Sequence, residues 1–460
     1  MERRWWCLIL GVVVVVGLVW TRDAASQQIF ACVQQGSLHV RIVGNPSDCR
    51  GPEAAVSWNV VGPQGPAGPA GPQGPQGIPG PQGVPGPVGI PLPVAITVNC
   101  DAGQSITQAL QTVSGAPLTV TVLGTCTENV VIARDGVTLV ASPPSGGTIS
   151  SADPTQNAIT IDGVRIAING LTVTGGRNGI RVQGSATIEN TIVQNAASNG
   201  IFFYNGQGVV DGCTIQNNSS SGVAVEGGNV TLTGNTISHN GIGVRLLLAS
   251  SARIGLSTTN EYIGNTISDN GMSGVYIGFG ASAFLGGNTI SSNGENGVNV
   301  LGASAALYGK NRMTANGGSG LYLWASHVMV ERPFTKGGEN LADFIDMIDS
   351  NRGVDPNTAG VILAFDASLE VKGNLTIINN TGDGLNVTRR SIARLRAASP
   401  AIISNNTVAG ISLRRGGTIN LQTGPTATGN SIGLLCSDGE SSYDGITTGI
   451  QSVDSRCTGF

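Results

Sequence analysis

Few side chains in this chain of 460 residues are equipped for chemistry: 11% are charged, and only three are His. One acidic run stands out, Glu339-Asn-Leu-Ala-Asp343-Phe-Ile-Asp346-Met-Ile-Asp349. Leu341, Phe344, Ile345 and Ile348 share a helical stripe in it, so the spacing predicts a short helix with Asp343, Asp346 and Asp349 on its flanks. Three carboxylates so placed suit calcium ligation or paired acid–base work, and they suit a plain solvated helix face better, since nothing fixes their spacing. Calcium is the one cofactor the acids raise, and weakly. A second set is basic: Arg389, Arg390, Arg394, Arg396, Arg414 and Arg415. A third mixes rings with cations: Arg181, Phe202, Tyr204, Arg245, Tyr276, Tyr322 and Trp324. Rings aligned on one surface stack against sugar rings, and Arg hydrogen-bonds hydroxyls or carboxylates. Strand faces favour aromatics without any ligand, and such a face also suits contact with another subunit.

What would align them is a repeat. Gly followed by an aliphatic residue returns at 179, 200, 222, 243, 274, 297, 320, 360, 384, 410 and 433. Most steps are 21–26 residues; two are longer, from 243 to 274 and from 320 to 360, the second an insertion of roughly one extra coil. Ahead of the middle anchors stands a second signature: Asn235-Thr-Ile-Ser, Asn265-Thr-Ile-Ser, Asn288-Thr-Ile-Ser and Asn311-Arg-Met-Thr. A fixed period near 22 predicts a solenoid of three short strands per turn, with coils about 4.8 Å apart. Left-handed backbone at the corners suits Gly and Asn, and Asn at one corner can stack as an amide ladder. The third set above then lies two or four residues past the anchors, on the outward side of one strand. Arg389 and Arg415 both fall five residues past theirs and can stack as a basic stripe. His239, like Asp269 and Ser292, occupies a corner position that faces solvent by default.

Upstream the chain changes character three times. Residues 1–26 carry Arg3-Arg4, an apolar run from Trp5 to Trp20 and the small residues Ala24 and Ser26, the pattern of a secretory signal; an uncleaved anchor is the rival reading. Residues 27–61 form a small unit, with a strand expected over 38–43, a disulfide and a packed Trp58. From Gly62 to Gly89, glycine holds every third position, and the 62–93 segment is a Gly-X-Y stalk. Only Gly fits the axis of a collagen triple helix, so the segment reads as a homotrimer, or as a single-chain polyproline spacer with equal force. Residues 94–436 are the solenoid, and 94–140 hold a capping helix over 104–113 and the first strands. Residues 437–460 close the end. Cys32 with Cys49, Cys100 with Cys126, and Cys436 with Cys457 are sequence-local pairs, although sequence alone leaves other connectivities open. Cys213, left over, reads as a buried small hydrophobe.

Composition excludes much else. Ample Val and Ile exclude disorder, scarce Glu, Lys and Leu exclude a helical bundle, and a net charge of −4 supplies no footprint for nucleic acid. The repeats, the opening Val98-Asn-Cys100 … Gly124-Thr-Cys126-Thr-Glu128-Asn and the cap resemble the right-handed parallel β-helix, or pectin-lyase-like, superfamily. The front is similar to exported bacterial proteins with short collagen-like stalks. The eleven anchors, with up to two rungs before them, predict an all-β solenoid of about 11–13 rungs; the resemblance implies the right-handed parallel β-helix and a superfamily with both enzymes and adhesins on one scaffold. The motifs of its sugar-cleaving members are missing here: no Asp-Asp pair, no Gly-His-Gly, no Arg-Ile-Lys, and Asp355-Pro356-Asn357 lacks its His and Glu. The expectation is an exported or surface-displayed protein that binds a glycan or surface partner through the solenoid. The alternatives are a polysaccharide lyase or hydrolase drawing acids from Glu226, Asp366 or Asp343–Asp349, and a structural surface protein.

Overall fold

The computed structural model describes residues 28–36, 39–59, 92–143, 146–335, 339–352, 359–396 and 400–459. The expected signal, nearly all of the Gly-X-Y stalk and Asp355-Pro356-Asn357 lie outside the described residues. The chain divides into two compact units, 1–86 and 87–460.

In the first unit, Gln28–Gln34 is the central strand of an antiparallel sheet, flanked by Val40–Val43 and Glu53–Asn59. The disulfide Cys32–Cys49 ties the sheet to the turn at Pro46–Asp48. Trp58, expected to pack, is instead 46% exposed: its face of the sheet has no cover among the described residues.

The second unit is a parallel β-solenoid. One coil is representative: Ser185–Glu189, Ile192–Gln194 and Ile201–Tyr204 each pair in parallel with their counterparts in the next coil. The third face holds thirteen strands, the eleven anchored ones and two before them. The first two faces join into one 27-stranded sheet because Leu118–Thr127 bends from one to the other. The expected cap is present as the helix Ile106–Thr112, which buries Ile106, Ala109 and Leu110. Glu128 holds its start, accepting from Ile106 N at 2.8 Å and Thr107 N at 3.1 Å. Cys100–Cys126 and Cys436–Cys457 both form, in the first and last coils.

Inward side chains stack in register. Ile237, Ile267, Ile290, Met313, Ile348 and Ile377 make one continuous buried column. The asparagines form two ladders, not one. In the first, Asn235, Asn265, Asn288 and Asn311 each donate Nδ2 and backbone N–H to the Oδ1 of the next. The second begins five residues later in each coil and runs from Asn218 through Asn293 and Asn316 to Asn430. Each Nδ2 also reaches a main-chain carbonyl, as Asn293 reaches Ile267 O. Such backbone groups would otherwise be buried without partners at the corner.

The anchor glycines answer a different need from the left-handed backbone expected at the corners. Gly297 does not have positive φ; a Cβ there would sit 2.7 Å from Gly320 O and 2.9 Å from Asn316 Nδ2. Close approach of successive coils, and not turn geometry, excludes a side chain. Left-handed φ falls to residues such as His239, Asp269 and Ser292, each exposed at its corner as expected. Cys213 heads the first ladder, donating its N–H to Asn235 Oδ1; burial pushes its thiol up to about 12.

The acidic insertion is the main correction. Only Leu341–Asp343 forms a helical turn, of the 3-10 type, and Ile345–Asp349 is a strand. Phe344, Asp346 and Ile348 alternate inward, a period of two that competes with the helical stripe. The physical reason is register: Ile348 must continue the aliphatic column, and Asp346 ends the first ladder. Asp346 accepts from Asn311 Nδ2 at 2.7 Å, Asn311 N at 3.2 Å and Gly309 N at 3.1 Å, and is fully buried. Asp349 pairs with Arg312 at 3.1 Å, and Asp343 is exposed. The three acids do not converge, so they form neither a calcium site nor a solvated helix face.

Two predictions follow from the ladders. Asn293→Ala leaves the N–H and Nδ2 of Asn270 without their acceptor, and should cost about 3 kcal/mol in denaturant unfolding; Ser292→Ala, at the exposed neighbour, should change little. Burial raises the Asp346 pKa from 3.8 to about 7. A folded-state pKa above the unfolded one means stability that is full below pH 3.8 and lost as pH rises through about 7. The stability of the wild type relative to Asp346→Asn should therefore fall between about pH 4 and pH 7 and be flat above that. A gap independent of pH would exclude this titration.

Candidate functional site

The third face carries the rings and cations singled out from sequence. Its strands place alternate residues inward, as with Ile201 and Phe203, so Phe202 and Tyr204 point out. Registered pairing then lines the outward positions into two columns. Arg181 lies beside Phe202, and Arg245 beside Tyr276. Tyr322 lies beside Ile362, and Trp324 beside Ala364. The seven residues do share one face, but six of them divide between two clefts and the seventh, Tyr276, stands apart.

The first cleft, about 580 Å³, takes Arg181, Phe202, Tyr204 and Arg245, with Glu226 as its one carboxylate. Two of its three cations have partners, the exposed Arg177 being the third. Arg181 donates to Gln183 Oε1 at 2.6 Å and lies 5.4 Å from the centre of the Tyr204 ring. Arg245 pairs with Glu226 at 3.5 Å, while its buried Nε has no partner. Tyr276 falls between the clefts and lines neither. Burial raises its hydroxyl pKa.

The second cleft, about 530 Å³, takes Tyr322 and Trp324 and adds what sequence reasoning missed. Trp324 stacks on Phe365 with ring centres 3.7 Å apart and planes 29° from parallel. The guanidinium of Arg389 lies 3.9 Å from the centre of the Phe365 ring. Arg414 and Arg415 complete the wall. Below, Asp383 is buried and holds Arg414 at 2.9 Å; it also accepts from Ser412 Oγ at 2.6 Å and Ala409 N at 3.2 Å. That network fixes the side-chain direction of Arg414. Asn386 Oδ1 and Arg414 Nε are buried without partners, and both residues line the cleft. No carboxylate lines it among the described residues.

Phe365, Arg389 and Arg415 lie five residues past Gly360, Gly384 and Gly410, in three successive coils. All three have positive φ, near 50°, which costs a bulky residue about 1 kcal/mol or more. The turn carries each side chain over the edge of the third face, where other coils have Gly227 or Gly302 and two have the bulky Leu248 and Phe279. The expected basic stripe of Arg389 and Arg415 is thus part of this cleft. The other arginines are elsewhere: Arg390 pairs with Asp366 and Arg396 with Glu370, and Arg394 lies on the first face. Phe365 was findable from its spacing alone, because it shares the offset of Arg389. Asp383 and Asn386 carry no such signal; only the fold brings them beneath Arg414.

Of the acids considered for catalysis, Glu226 is in the first cleft, and Asp366 is largely exposed beside Arg390. Asp346 is sealed in the ladder. His327 is on the first face, with Nδ1 2.7 Å from Ser368 Oγ.

A search of curated proteins finds none that matches this chain. Among solved structures it is similar to the A-modules of two mannuronan C-5 epimerases from Azotobacter vinelandii. For AlgE6, identity is 14% over 74% of this chain and 94% of that one, with a TM-score of 0.43; for AlgE4 the values are 15%, 72%, 89% and 0.45. Pectate lyase Pel9A is 16% identical, over 51% of this chain and 72% of that one, with a TM-score of 0.40. These are likenesses of fold at low identity. The family model described as the right handed beta helix region matches residues 157–305, 250–332 and 287–448, which together exceed half of the sequence. With the registered coils and ladders described above, the chain belongs to the right-handed β-helix family.

Proposed function

We propose that this is an exported β-helix protein, presented on its Gly-X-Y stalk, that binds an acidic polysaccharide in the cleft of Trp324, Phe365, Arg389, Arg414 and Arg415. The observation that carries the reading is the stacked Trp324–Phe365 pair set beside arginines with no acid among the lining residues. Aromatic faces pack against the C–H faces of sugar rings, and guanidinium groups take carboxylates in a bidentate fork. Asn386 Oδ1, buried and unpaired, supplies an acceptor for a sugar hydroxyl. The three disulfides suit an oxidising compartment outside the cytoplasm. In the stalk, the unbroken Gly-X-Y register supports a three-chain helix.

A polysaccharide-active enzyme is the second reading, and the first cleft favours it, because Glu226 faces the open space beside Arg245 and the Phe202 and Tyr204 rings. There the acid would do proton transfer while the rings hold the sugar.

Retention on immobilised acidic and neutral glycans separates these readings. The wild type should bind acidic chains, more weakly at high salt as the exposed charges are screened. Trp324→Ala and Arg389→Ala should each weaken retention about tenfold or more, near 1.4 kcal/mol, without lowering the unfolding midpoint of the solenoid by more than a few degrees. Release of reducing ends or unsaturated products, abolished by Glu226→Gln and not by Trp324→Ala, would establish the enzyme reading instead. Neither retention nor turnover on any glycan would leave a structural role.

A further inference from the structure

The small N-terminal sheet leaves its more apolar side largely open to solvent. Antiparallel pairing places Ile29, Ala31 and Val33 on one side of the central strand. Val40 and Ile42 join that side from one neighbour, and Ala54, Val56 and Trp58 from the other. The opposite side holds Phe30, Cys32, Arg41, Val43, Ala55 and Ser57; there the Cys32–Cys49 bond closes over the sheet, and Arg41 pairs with Glu53 at 3.0 Å. A sheet with one covered face normally turns its apolar residues to the cover. Here the side with the disulfide mixes Arg41, Glu53 and Ser57 with the half-buried Phe30 and Val43, whereas the other side is apolar throughout and largely open: Val40 is 60% exposed, Ile42 71%, Val56 45% and Trp58 46%. In the solenoid, large exposed hydrophobics are spread along the coils; here four of them share one face of a three-stranded sheet. A contiguous apolar face on so small a unit marks an interaction surface.

The sequence says what covers it. The last strand ends at Asn59, and the strict Gly-X-Y run starts at Gly62. A triple helix starting there draws three copies of the sheet together at its first triplet. We propose that this apolar face is a self-association surface: three copies of the sheet pack Ile42, Val56 and Trp58 against one another and start the triple helix in register. The inference rests on the three-chain reading of the stalk given above, and extends it to a surface. It also supplies what so short a run of triplets lacks. A short triple helix must assemble from three separate chains, and a folded cluster at one end raises the effective concentration of the strands it tethers. The arrangement would remove from water the residues that no part of the described unit covers.

Sedimentation equilibrium of the full chain, with circular dichroism of the triple helix, tests both claims. The wild type should sediment as three chains. Ile42→Glu with Val56→Glu should abolish the trimer at micromolar concentration, while Ser57→Glu, on the opposite side, should leave it intact. Both substituted positions are exposed, so the fold should survive; a Cys32–Cys49 bond still closed by non-reducing mass analysis would verify that. Gly74→Ala should lower the melting of the triple helix independently. If the Ile42/Val56 variant remains trimeric at wild-type concentrations while Gly74→Ala weakens the trimer, the surface is overturned and the three-chain stalk stands. If the wild type is monomeric, the stalk reading falls, and this surface with it.

Discussion

Translational repetition governs this molecule. Each coil lies about 4.8 Å from the next, so every inward or corner group must be satisfied by its own copy one coil away. Backbone pairing meets that demand along the strands. At the corners the ladder fails, and the amide side chain takes over, because Asn carries a donor and an acceptor in one plane and so repeats head to tail. A carboxylate only accepts and so ends such a series, and a hydroxyl, with a single proton, cannot also reach the main-chain carbonyl that each Nδ2 takes. The aliphatic columns obey the same rule with shape in place of polarity, and the anchor glycines obey it through space, since a Cβ at Gly297 would collide with the coil that follows.

The ends of the first ladder show the rule by its exceptions. Cys213 starts it with a donor N–H and a thiol that needs little. Asp346 finishes it, and a carboxylate suits that place because the last position receives hydrogen bonds and passes none on. The second ladder continues through the insertion, where Asn351 takes its turn between Asn316 and Asn380. An inserted stretch is therefore tolerated only if it returns in register, and Asp346-Met-Ile-Asp-Ser-Asn351 repeats the five-residue spacing of Asn311 to Asn316.

The second cleft grows from the same constraint. Since the interior is committed to columns, variation is left to outward positions and corners. Three successive corners carry Phe365, Arg389 and Arg415, and the strand beside them offers Tyr322 and Trp324. The cleft is an edge of the solenoid where neighbouring coils happen to carry compatible side chains, stiffened by the buried Asp383–Arg414 pair. Such a pair stabilises little in net terms, but it fixes where the guanidinium points.

Sequence determined the architecture because the signals were periodic, and a period survives without knowledge of contacts. The Gly anchors, the Asn-Thr-Ile-Ser corners, the cap and the outward set from Arg181 to Trp324 were all legible in this way. It misjudged Ile345–Asp349, where a helical and a strand period coexist and only the register of the coil above selects one. It also expected Trp58 to pack, since a local pattern cannot say which face of a small sheet has a cover. The tertiary structure alone decided that the outward set splits between two clefts, and that Asp346 is sealed in a ladder. It alone placed Asp383 and Asn386 beneath Arg414. Those are matters of distance between coils, and residues separated by about 22 positions become neighbours only once the turns are wound.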